Sequence, residues 1–101
     1  MLFVMKISMP HEPFNLYIKD GSIGEKMQQI LGEIKPEAVY FTEMNGKRTA
    51  IIIVNMTEAS QMPALAEPWF VTFNADVEWH PAMQPEDFGK SNLEAIGKRW
   101  A

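Results

Sequence analysis

Cysteine is absent from the 101 residues, which excludes disulfides, thiolate metal sites and cysteine nucleophiles. Basic charge is scarce. Nine Lys and Arg stand against 13 Asp and Glu, for a net charge of −4. No basic cluster exceeds Lys98-Arg99, so the chain has no electrostatic footprint for nucleic acid. Long apolar runs are also missing: the opening Met1-Leu-Phe-Val-Met stops at Lys6, too short for a signal peptide or a membrane span. A cytoplasmic protein with no membrane partner is expected. Histidine chemistry is confined to two residues, His11 and His80. Low-complexity segments and internal repeats are lacking, and the length suits one domain, residues 1–101, with one core.

What is present centres on Ala38 to Val54. Asn45-Gly46 lies between two β-rich runs, and a type I′ turn needs the positive φ that Asn and Gly tolerate best. The two-residue turn sets a register in which Met44 faces Lys47, Glu43 faces Arg48, Tyr40 faces Ile51 and Val39 faces Ile52. Glu43 and Arg48 are then an opposite-charge cross-strand pair. Val39, Phe41, Ala50, Ile52 and Val54 share one face; Ala38, Tyr40, Thr42, Met44, Thr49, Ile51 and Ile53 share the other. Both faces are apolar away from the turn, so both require cover.

Residues 2–8 form the first expected strand, and Pro13 starts a short helix over Phe14–Lys19. Asp20-Gly21 interrupts it. Ser22 and Glu25 have capping-box spacing ahead of a helix whose stripe is Ile23, Met27, Ile30, Leu31 and Ile34. Gly24 and Gly32 within it suggest close approach to the sheet. After the hairpin, Thr57–Ala66 reads as a helix, and Pro68 begins a second helical piece, Trp69–Phe73. The last strand is Asp76–His80, ended by Pro81. Pro85, Glu86 and Asp87 then open a C-terminal helix with Leu93, Ile96 and Trp100 on one edge.

The order is β-α-β-β-α-β plus a C-terminal helix: an α+β, ferredoxin-like βαββαβ fold with a four-stranded antiparallel sheet and two helices on one face. Helices on one side leave the other apolar face bare, and bare apolar faces mark interfaces. The expected partner is the chain itself, as a homodimer closing a dimeric α/β barrel, with residues 83–101 a helical arm over the partner. The alternative is that this arm roofs its own sheet.

Two stretches, Met1-Leu-Phe-Val-Met-Lys6 and Glu67-Pro-Trp-Phe-Val-Thr-Phe-Asn-Ala-Asp-Val-Glu-Trp-His-Pro81, resemble the dimeric α/β-barrel superfamily, and within it the small muconolactone-isomerase-like group. In the second, a proline-started aromatic turn runs into a strand ending in His-Pro. The chain is also similar, nearly end to end, to short bacterial proteins of unassigned function in which such a strand is followed by a Pro-Glu-Asp helix. The resemblance implies the fold. Its members include isomerases, cofactor-free oxygenases, haem-degrading enzymes and ligand-binding regulators, so it selects no reaction.

Candidate chemistry gathers on the last strand, where Glu78 and His80 point to the same face. A carboxylate beside an imidazole can set up a general base, here His80 with Glu78 or Tyr40 orienting it. Lys6 on the neighbouring strand is the counter-charge, and a structural Lys6–Glu78 pair is the plainer account. Ligand contacts are assigned to Lys6, Thr42, Phe14, Tyr17, Trp69 and Phe73; the aromatic residues are equally what a small core needs. His11-Glu12 meeting Glu78 and His80 would make a nitrogen and oxygen metal site, but the spacing does not bring them together, and no metal or cofactor is expected. Asp20-Gly-Ser-Ile-Gly24 lacks the Lys-Ser/Thr of a phosphate loop. Three readings follow: a small dimeric protein binding an apolar or aromatic-acid ligand between sheet and helices, a cofactor-free isomerase or monooxygenase-type enzyme, or a purely structural assembly module.

Overall fold

The computed structural model describes residues 1–101. Strands β1 (Leu2–Met9), β2 (Ala38–Met44), β3 (Lys47–Asn55) and β4 (Asp76–Ala82) form one antiparallel sheet in the order β2-β3-β1-β4. Helices α1 (His11–Asp20) and α2 (Ile23–Ile34) connect β1 to β2, α3 (Met62–Phe73) connects β3 to β4, and α4 (Pro85–Lys90) and α5 (Leu93–Arg99) follow. This is the ferredoxin-like arrangement, its first crossover built from two helices.

The hairpin forms in the register that its turn dictates, from Met44 opposite Lys47 to Ala38 opposite Ile53. Asn45 and Gly46 have φ of 56° and 76°. Met5, Ile7 and Met9 of β1 and Ala50, Ile52 and Val54 of β3 are buried against Ile30, Trp69 and Phe73. Val77 and Trp79 pack at the edge of this core, and Ile23, Met27, Leu31 and Ile34 lie over it as the α2 stripe requires. The opposite face, with Val4, Lys6, Tyr40, Ile51, Ile53, Glu78 and His80, has no helix on it.

Several local expectations are corrected. Ser22 is in the αR region with no side-chain cap bond, so the Ser22–Glu25 box does not form. Its N–H instead donates to Asp20 Oδ1 at 2.9 Å, and an N-cap in αR cannot aim its hydroxyl back at the first turn. Gly24 and Gly32 have nothing within 4 Å of a built Cβ; close approach to the sheet is not their use. The expectation for Pro13 holds: Glu12 is extended (φ −112°, ψ 136°), so the continuous helical part of α1 starts at Pro13.

Pro68 does not start a new helix. It lies inside α3, where burial of Ala66, Trp69 and Phe73 offsets the backbone bond that proline removes. Pro81 does not end β4, which runs to Ala82; an edge strand tolerates a missing N–H on its free side. The C-terminal helix is two short helices, broken where Asn92 turns left-handed (φ 58°). Glu43 and Arg48 stand opposite each other without forming an ion pair: Glu43 Oε2 accepts the Gly46 N–H at 2.8 Å, and Arg48 turns under the sheet.

The arm does not roof its own sheet. From Met83 onward every residue except Ser91 is exposed, and no hydrogen bond or ion pair joins the arm to the rest of the chain. The molecule measures 59 × 28 × 19 Å with a radius of gyration of 17.0 Å, against about 13 Å for a compact domain of this length.

Candidate functional site

Two places on the sheet carry chemistry, one on each face. On the bare face, β1 and β4 bring Lys6 opposite Glu78. Lys6 Nζ lies 3.4 Å from Glu78 Oε2, and His80 Nε2 lies 3.5 Å from Glu78 Oε1. One carboxylate thus bridges a lysine and an imidazole. The Glu78 and His80 side chains are 55 % and 58 % exposed, so water screens the cluster and its contribution to stability is about 0–1 kcal/mol. Chemically it is an exposed imidazole beside a carboxylate that a lysine also approaches.

Tyr40 is not part of that cluster. It lies on β2, at the opposite edge of the sheet from β4, and is 64 % exposed. His11 follows the end of β1, whereas His80 pairs with Val4 near that strand's start; no three His, Asp or Glu side chains converge as a metal would require.

The second place is a cleft of about 400 Å³ on the helix side, walled by Phe14 of α1, Ile23 and Met27 of α2, and Phe41, Thr42 and Arg48 of the hairpin. It exists because β2 is an edge strand: the helices cover β1 and β3 and stop short, leaving Phe41 57 % exposed on the face it shares with buried Ala50 and Ile52. The half-buried Arg48 guanidinium lies over the Phe14 ring, 4.4 Å from its centroid, and donates from Nη1 to Asn15 Oδ1 at 2.9 Å.

Of the residues assigned to a ligand from sequence, Phe14 and Thr42 line this cleft. Trp69 and Phe73 are fully buried in the core, stacked at 6.0 Å between centroids. Tyr17 is partly buried: it packs edge-on to Phe73, donates its hydroxyl to the Thr72 carbonyl at 2.8 Å, and lines a separate cleft with Lys26 and Glu33. Lys6 is on the other face. Sequence reasoning missed Arg48 and Asn15, because the cross-strand glutamate supplied Arg48 with an apparent partner.

No family model matches the chain, and no curated protein matches it. No helix is long and apolar enough to cross a membrane.

Proposed function

We propose that this chain works as a two-fold homodimer that binds a small ligand, along the lines of the dimeric α/β barrels that its first strand and its Glu67–Pro81 segment resemble. The observation that carries the dimer is surface. The chain exposes 6931 Å², whereas a compact monomer of 11.5 kDa is expected to expose about 5,800 Å². The excess, about 1,100 Å², is of the size that one partner contributes to a standard interface. It lies where cover is missing: the bare face with Val4, Tyr40, Ile51 and Ile53, and the arm, where Phe88, Leu93, Ile96 and Trp100 are 55 %, 49 %, 47 % and 80 % exposed. A self-complementary pairing of these surfaces closes on itself. Ligand binding is supported by the cleft under β2, whose volume is in the range of small-molecule sites.

Light scattering at micromolar concentration should report twice 11.5 kDa, and Ile53→Lys should halve it while circular dichroism stays unchanged. A lone 11.5 kDa particle refutes the dimer.

The His80–Glu78–Lys6 geometry favours a second reading, a cofactor-free isomerase or monooxygenase-type enzyme with His80 as base. On that reading His80→Ala abolishes turnover and leaves folding intact; an active variant removes it.

A further inference from the structure

We infer that the cleft under β2 is a carboxylate site, and that the ligand is a small apolar acid, aliphatic or aromatic, whose carboxylate pairs with Arg48. This rests on the reading of the cleft as a ligand site and is independent of the dimer. Arg48 is a half-buried cation with no acidic partner: the ion pairs of this chain are Lys6–Glu78, His80–Glu78 and Lys98–Glu94. Its cross-strand neighbour, Glu43, is engaged with the turn N–H of Gly46. A guanidinium has about five N–H donors, and a single bond, to Asn15, uses one of them.

Withdrawing a cation from water without an anion is unfavourable. Asn15 and the Phe14 ring hold the fork in a largely apolar cleft, the arrangement that suits two parallel bonds to a carboxylate. Of the remaining walls, Met9, Ile23, Met27 and Phe41 are apolar, and the Thr42 and Thr49 hydroxyls donate to the Glu43 and Lys47 carbonyls. These walls suit a hydrocarbon ligand tail. Arg48 is thereby a binding residue, with Asn15 positioning it.

The test uses phenylacetate, its neutral isostere phenylacetamide, and acetate, titrated into the full-length protein by calorimetry and amide NMR. Phenylacetate should bind at least about tenfold more tightly than either of the others, as a charge-assisted bidentate pair plus apolar burial predicts. Shifts should centre on Phe41, Thr42 and Arg48. Arg48→Gln should erase the preference for acid over amide. Met27→Trp, which fills the cleft and leaves Arg48 in place, should abolish binding of both. Equal binding of acid and amide in the cleft overturns the carboxylate assignment and leaves the ligand site standing. Acetate as tight as phenylacetate reduces the site to a bare charge and overturns the apolar part. No binding of any of the three overturns both this inference and the ligand-binding reading.

Discussion

Asp20 shows how one side chain redirects a local pattern. Its carboxyl is held below the ordinary value of 3.8 by Ser22, through hydroxyl and backbone N–H, against desolvation and with the least contribution from Lys26. The Ser22 hydroxyl is buried without a hydrogen bond of good geometry, so the backbone N–H at 2.9 Å is the firm donor. A carboxyl with a lowered folded-state pKa adds stability that is present above its unfolded value and lost as pH falls through the folded one. NMR titration should therefore place Asp20 below 3.8. Asp20→Asn should flatten the acid limb of stability in urea unfolding while shifting the neutral-pH value only slightly. Sequence showed the Ser22 and Glu25 spacing but not this competitor, because Asp20 captures the Ser22 N–H only once Gly21 has turned left-handed, at φ 82°. Arg48 follows the same logic. Its cross-strand glutamate was legible, yet the turn N–H of Gly46 lies nearer to that carboxylate, and the guanidinium is left to the cleft.

Among the elements, the hairpin was legible to the residue because a two-residue turn admits one register. Gly46 at φ 76° carries that turn, and Gly46→Ala should destabilise the protein by about 1–2 kcal/mol, the cost of a side chain in the left-handed region. Gly32 is the contrasting case. It is exposed within α2, and a Cβ there meets nothing within 4 Å. Gly32→Ala should therefore add about 1 kcal/mol by helix propensity alone. Chemical denaturation of the two variants reads both signs in one experiment. The proline-bearing elements were less legible. Pro68 and Pro81 look alike as breakers in sequence, yet one is carried through a helix by its buried neighbours and the other sits on a sheet edge. Which outcome prevails depends on contacts with residues distant in the chain.

For the whole molecule, the quantity that matters is uncovered apolar surface. Trp100 is 80 % exposed at the end of α5. If a second copy buries it, Trp100→Ala should weaken self-association by about 2 kcal/mol, and sedimentation equilibrium would show the shift, with monomer fold unchanged by circular dichroism. The amino-acid sequence by itself determined the order of elements along the chain, the register of β2 on β3, the segregation of Met5, Ile7 and Ile52 from Val4, Ile51 and Ile53, and the surplus of apolar faces over helices to cover them. These follow from the period-two alternation of strands and from turn geometry, which are local. Only the tertiary structure decided that residues 83–101 stand clear of their own sheet, that Trp69 and Phe73 are core, and that Phe14, Phe41 and Arg48 share a cleft. Those outcomes depend on how far three helices extend across four strands, and no spacing along the chain encodes that distance.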